Sequence, residues 1–230
     1  MPPSSLHRRP IKSRENCLAQ RTAAWLNQRG FTPNQISLAS IGFAAAAALI
    51  LVFWRHASGG MQWLLPLLVI LGIQGRLLCN LFDGMVAVEG GRSTLAGELY
   101  NDMPDRAADA LLLVAAGYAS GAFWSLGPWM GWLAAILAVM TAYVRVLGAS
   151  MGAPMRFSGP MAKQHRMALL SGACLFSMLE PYLWQKGIVL LLAVGIIAAG
   201  SAWTIVRRTR QIHAHFEEAN EGLSEGGHDV

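Results

Sequence analysis

The chain has 230 residues, 54% of them hydrophobic and only 13% Asp, Glu, Lys or Arg, about half the ~25% charged content of a soluble domain. With a mean hydropathy of +0.40, eight Trp and long uncharged runs, this excludes a disordered chain, a collagen-like repeat and an ordinary water-soluble enzyme, and leaves an integral membrane protein. The net charge of +5 and pI near 9.5, without a soluble basic domain, point to membrane lipids at a cytoplasmic surface and not to nucleic acid.

Residues 1–30 form an N-terminal cytoplasmic or interfacial segment. From about Lys12 to Arg29, Leu18, Ala23, Ala24, Trp25 and Leu26 mix with Arg14, Arg21 and Arg29, which predicts an amphipathic helix lying on the membrane. The stretch lacks a secretory hydrophobic region, so no cleaved leader is expected. A bilayer core needs roughly 20 helical residues, and within residues 31–210 six such stretches occur: about Asn34 to Trp54, Met61 to Ala87, Ala96 to Tyr118, Pro128 to Ser150, Lys163 to Trp184 and Gly187 to Val206. Gly117, Gly121 and the Gly127-Pro128 pair divide an uncharged run that is too long for one span. Residues 211–230 form a cytoplasmic tail, acidic and Gly-rich from Glu217 onward and expected to be disordered. Cys17, Cys79 and Cys174 are odd in number and show no Cys-x-x-Cys spacing, so they read as apolar filler.

Lys and Arg set the orientation. Six precede the first span, Arg92 follows the second, Arg145, Arg156, Lys163 and Arg166 flank the fourth-to-fifth connection, and Arg207, Arg208 and Arg210 follow the sixth. The other side holds only Arg55 and Lys186, while Arg76 and Arg106 fall inside spans. The fold class expected is therefore an all-α membrane protein with six transmembrane helices, an N-terminal amphipathic surface helix and both termini cytoplasmic. Its expected home is a bacterial-type inner membrane.

Six of the thirteen acidic residues, Asp83, Glu89, Glu98, Asp102, Asp105 and Asp109, lie between the end of the second span and the start of the third. Ionisable groups at membrane depth are costly and usually line a pathway or cavity. At 100° per residue, Arg76, Asn80, Asp83 and Ala87 share an arc of about 60° on one helix, and Glu98, Asn101, Asp102, Asp105 and Asp109 one of about 100° on the next. Two polar stripes therefore face each other, and such hard oxygen donors suit Mg2+ or Mn2+. The plainer reading, ion pairing with Arg76 and Arg106, is preferred for Asp109 and Glu89. Asp102 is open, since Pro104 suggests a helix starting there with Asp102 as its N-cap. Metal ligation is preferred for Asp83 and Asp105, and Gly84 beside Asp83 lets a phosphate or base approach the backbone.

The stretch Asn80-Leu-Phe-Asp83-Gly84-Met-Val-Ala87-Val88, eight residues, then Gly97-Glu-Leu-Tyr-Asn101-Asp-Met-Pro-Asp105 resembles the signature of the CDP-alcohol phosphotransferase family: Asp-x-x-Asp-Gly-x-x-Ala-Arg, eight residues, Gly-x-x-x-Asp-x-x-x-Asp. Thr32-Pro33-Asn34, Tyr143-Val-Arg145 and Gly159-Pro-x-x-Lys163-x-x-Arg166 also resemble family features. Three positions depart: Asn80 and Asn101 replace Asp, and Val88 replaces Arg, for which Arg92 is the nearest substitute. Each Asp-to-Asn exchange removes one negative charge and makes a two-metal site less secure.

The resemblance implies phosphatidyl transfer from a CDP-linked lipid such as CDP-diacylglycerol to an alcohol, with release of CMP, in phospholipid biosynthesis. It implies Mg2+ or Mn2+ held by Asn80, Asp83, Asn101 and Asp105, with Asp105 also catalytic. Gly84, Ala87 and Gly97 would bind the donor nucleotide, and Arg145, Lys163 and Arg166 a phosphorylated acceptor such as glycerol 3-phosphate. For these three cations, positive-inside bias is an equal reading, and inositol phosphate, serine or another alcohol stays open as acceptor. A homodimer is implied by the family likeness. The alternatives are a catalytically degenerate homologue that binds nucleotide or lipid without turnover and, from another class, a cation transporter.

Overall fold

The computed structural model describes residues 16–89, 97–121, 123–154 and 159–226. Among these it contains helices and no strand: α1 (Cys17–Gln28), α2 (Pro33–Trp54), α3 (Met61–Glu89), α4 (Gly97–Ser120), α5 (Gly127–Ser150), α6 (Lys163–Ser177), α7 (Glu180–Leu183) and α8 (Ile188–Gly226). Four of them contain segments long and apolar enough to cross a bilayer: Pro33–Trp54, Met61–Val88, Gly127–Ser150 and Ile188–Glu218. The chain is an all-helical integral membrane protein. α4 fails the same test because Asp102, Asp105, Arg106 and Asp109 charge its first half, and α6 fails because its 15 residues reach only about 22 Å.

Local chemistry sets the boundaries. Thr32 Oγ1 accepts from the Gln35 amide at 3.3 Å, and Gln35 Oε1 accepts from the Thr32 amide at 3.0 Å. With Pro33 at the first helical position, where a missing N–H costs nothing, this capping box starts α2. α1 is capped by the Asn16 side chain, which accepts from the Leu18 amide at 3.0 Å. Gly30, at φ +84°, turns the chain from α1 into α2. Ala23 of α1 is buried against Ile36, Met85 and Val86, so α1 lies beside the acid-bearing end of α3, with Leu18 and Trp25 exposed.

One open point closes and one expectation changes. α4 begins at Gly97 and runs through Pro104, so Asp102 is not an N-cap; its carboxylate faces Arg106, one turn ahead, and Arg145 of α5. The stretch expected as a single span to Trp184 breaks after Ser177. Pro181 lacks an amide hydrogen and its ring opposes the carbonyl four residues back. Glu180 turns inward there and accepts from the Gly187 and Val189 amides at 2.7 and 2.6 Å, which satisfies the opening of α8. α8 itself runs through Glu217 to Gly226. The His213–Glu217 pair, one turn apart at 3.0 Å, supports that extension.

At the end remote from the acids, Lys186 donates to the Ala57 carbonyl at 2.7 Å and lies 4.5 Å from the Trp54 ring. Partial burial holds its pKa below the ordinary lysine value, against the pull of Glu180. All three cysteines are free.

Small side chains bring the backbones together, as membrane packing demands when lipid is as apolar as the core. Ala44, Ala47, Ala108, Ala116, Ala134 and Ala138 are all buried in one cluster with Leu112, Leu113 and Leu190. α4 packs against α2, α5 and α8. Its contact with α5 is glycine on glycine: a Cβ on Gly117 would stand 2.6 Å from Gly131 Cα and 2.7 Å from the Gly127 carbonyl oxygen. Gly117→Ala must therefore push two backbones apart and should destabilise the fold by about 1–3 kcal/mol. At Gly172 nothing lies within 4 Å of an added Cβ, so Gly172→Ala should be neutral or gain about 0.5–1 kcal/mol. Thermal melting of both variants in detergent checks the contrast.

Candidate active site

The facing ends of α3 and α4 carry the acidic stripes, and α5, α6 and α8 bring cations to them. The result is a cavity of about 460 Å3. Asn80 of α3 lines it, as do Asn101, Asp102, Asp105 and Arg106 of α4, Arg145 of α5, Lys163 and Arg166 of α6, and Arg208 of α8.

The charges are arranged in tiers. In the deepest, Asp109 stands between two guanidinium groups, Arg76 at 2.5 Å and Arg166 at 2.6 Å, with all three side chains nearly inaccessible to solvent. Arg76 also donates to Met167 Sδ at 2.9 Å and to the Asp105 carbonyl at 3.2 Å, and Arg166 to the Met161 carbonyl at 2.8 Å. In the middle tier, Asp105 accepts from Lys163 Nζ at 2.5 and 2.6 Å, one bond to each oxygen, and from Asn80 Nδ2 at 2.5 Å. In the outer tier, Asp102 meets Arg106 at 2.7 Å and Arg145 at 3.2 Å.

Asp83 stands apart from the cavity wall. Ser37 of α2 donates to its Oδ2 at 2.6 Å. Its Oδ1 is buried without a hydrogen-bond partner. Asp83 is nonetheless close enough to the cavity to feel the charges of Asp105 and Lys163. A buried carboxylate oxygen without a donor is costly, and a hard cation is the partner that would satisfy it, so this side chain suits Mg2+ or Mn2+. Among the described residues no three His, Cys, Asp or Glu side chains gather at metal-binding range. The amide oxygens of Asn80 and Asn101, water and substrate oxygens are further hard donors suited to such an ion.

Of the expected site residues, Asn80, Asn101, Asp105, Arg145, Lys163 and Arg166 meet at the cavity, while Gly84, Ala87 and Gly97 do not line it. Asp109 is ion-paired, as its preferred reading held. Arg92, Arg156 and the side chains of Glu89 and Glu98 lie outside the described residues. Sequence reading missed Arg208, taken only as part of a basic flank. Its Nη1 donates to the Thr141 carbonyl at 2.5 Å, and the signal was the buried stripe Val194, Ile197, Ser201, Thr204 and Arg208, spaced alternately by three and four residues. Ser37 was missed as well, one of the small polar residues on the inner face of α2 with Ser40.

The tiers differ in what their loss costs. Asp109→Asn leaves Arg76 and Arg166 buried without a counter-charge and should destabilise the fold by about 3–5 kcal/mol. Asp102→Asn, at a carboxylate 44% exposed, should cost under about 1 kcal/mol. Melting temperatures of the two variants in detergent test this ordering, and equal losses would contradict it.

No family profile matches the sequence, and no curated protein matches it. Solved structures do. The phosphatidylinositol phosphate synthase of Mycobacterium tuberculosis with CDP-DAG bound superposes with a TM-score of 0.69 at 15% identity, covering 86% of this chain and 94% of that one. The same synthase in complex with manganese and citrate gives a TM-score of 0.68 at 16% identity, covering 84% and 88%. The resemblance carried by the motif thus extends to the backbone: this chain has the fold of phosphatidylinositol phosphate synthase, a member of the CDP-alcohol phosphotransferase family.

Proposed function

We propose that this protein transfers a phosphatidyl-type group from a CDP-linked lipid, such as CDP-diacylglycerol, to an alcohol and releases CMP. The observation that carries the reading is Asp105, which ends the acidic signature and stands at the wall of a cationic cavity. The shared fold supports it, as does the CDP-DAG bound by a protein of that fold.

In this reading α2, α3, α4, α5, α6 with α7, and α8 are six spans, α1 rides on the inner leaflet, and both termini and the cavity face the cytoplasm of a bacterial-type inner membrane. The lipid donor enters sideways from the bilayer. The acceptor oxygen attacks the phosphorus that carries the diacylglycerol, the bond from that phosphorus to the CMP oxygen breaks, and the hydroxyl proton passes to Asp105. Lys163 and Asn80 fix the orientation of the Asp105 carboxylate through their hydrogen bonds. Mg2+ or Mn2+ held by Asp83, with Asn80 and Asn101 as amide ligands, would neutralise charge developing on the leaving CMP. Gly84, Ala87 and Gly97 remain the proposed neighbours of the nucleotide.

Arg145 and Lys163 line the cavity and retain some solvent access, which suits a phosphorylated acceptor. Arg208 joins them there. Arg166 is engaged with Asp109, so its part is to shape the wall. A homodimer is part of this reading through the family likeness.

The second reading is a homologue that binds nucleotide or lipid without turnover. Asn80, Asn101 and Val88, the three departures from the signature, favour it. Purified protein with Mg2+ or Mn2+, labelled CDP-diacylglycerol and a panel of alcohols separates the two. We expect CMP release that falls at least ~10²-fold in Asp105→Ala; release no greater than in that variant would establish binding alone. Arg145→Ala should raise the acceptor KM about tenfold, the loss of roughly one charged contact, and leave the donor KM unchanged. A KM shift confined to the donor would remove Arg145 from acceptor binding.

A further inference from the structure

Asn80 and Asn101 stand where the signature has Asp, so the facing stripes have lost two negative charges. Within what remains, Asp83 and Asp105 have opposite surroundings. Asp83 Oδ1 is the one carboxylate oxygen among the described residues that is buried without a hydrogen bond. Asp105 is instead engaged by donors: Lys163 Nζ bonds both of its oxygens, and Asn80 turns its Nδ2 toward Asp105 at 2.5 Å, presenting a donor where an aspartate would present an acceptor. Arg76 Nη2 adds positive charge 3.6 Å from Asp105 Oδ1.

Charge counting separates two possibilities. Asp83 and Asp105 supply two negative charges and Lys163 one positive. A single divalent ion brings this set to one positive charge, which the donor's diphosphate can absorb. A second would bring it to three, with Arg76 close by and, among the described residues of the cavity, no further carboxylate free, since Asp102 and Asp109 are each held by two guanidinium groups. Like charges so near one another, in a site of low dielectric, repel strongly.

We propose that this chain binds one divalent cation, at Asp83, and that the Lys163 ammonium takes the position of a second cation beside Asp105. The proposal rests on the functional reading above and deepens it: the two Asn residues and the lysine form one compensated set, in which the loss of carboxylate charge is matched by an ammonium paired with Asp105. Lys163 is then a positioning residue for Asp105.

The test counts Mn2+ by electron paramagnetic resonance on the full-length chain in detergent, with CMP release measured on the same preparation. Wild type should bind one Mn2+ per chain with no spectral sign of a coupled pair, and Asp83→Asn should lose that ion. Lys163→Arg should keep the count at one. Asn80→Asp/Asn101→Asp/Lys163→Met should bind two ions showing spin–spin coupling. Two ions in wild type, or none, overturns the proposal by itself, even if the triple variant fails to fold. One ion in a folded triple variant removes Lys163 from the second position. CMP release distinguishes the outcomes: two ions with turnover defeats this inference and leaves the transferase reading standing. One ion without turnover defeats the transferase reading and leaves the cation count.

Discussion

Asp109 is one carboxylate held between the guanidinium groups of Arg76 and Arg166, out of reach of water. Three charges at that depth are tolerable only together, because each alone would meet the full cost of leaving water. Since the three come from α3, α4 and α6, this contact joins the helices that build the cavity and sets where their outer ends stand. Asp105 lies one turn before Asp109, Lys163 one turn before Arg166, and Asn80 one turn after Arg76. The bonds among Asp105, Lys163 and Asn80 therefore repeat, one helical turn toward the opening, the geometry fixed beneath them.

This arrangement also explains how the acids divide their work. The lowest is structural, the middle one is the base of the proposed transfer, and the outermost holds Arg145 at the cavity wall. The gradient runs from complete burial at Asp109 to partial exposure at Asp102. Proton transfer from a bound alcohol suits the middle of such a gradient, where a carboxylate is shielded from bulk water yet open to a substrate.

Much of this was legible in the chain. Helical phase places Asn80 and Asp105 on facing stripes, and Gly127-Pro128 marks the start of α5, because period and backbone chemistry are local properties. What escaped depended on partners distant in sequence. Pro104 leaves the role of Asp102 open, and only its contact with Arg145 of α5 gives that carboxylate its place within α4. Pro181 was in plain view, but only the reach of Glu180 to the amides of α8 turns it into a break. Ser37 has no local reason to meet Asp83, 46 residues away, and Arg208 is indistinguishable from Arg207 until the buried face of α8 is known.

The contact of Gly117 with Gly131 lies far from the chemistry but is mechanically tied to it. Gly117 is fifteen residues from Asp102 along α4, a rigid arm of about 22 Å, and Arg145 rides on the partner helix. With the crossing point acting as a fulcrum, a tilt of about 5° moves the arm's tip by about 2 Å, enough to pull a guanidinium from its carboxylate. Two hydrogen atoms in place of two methyl groups thereby calibrate the width of the cavity mouth.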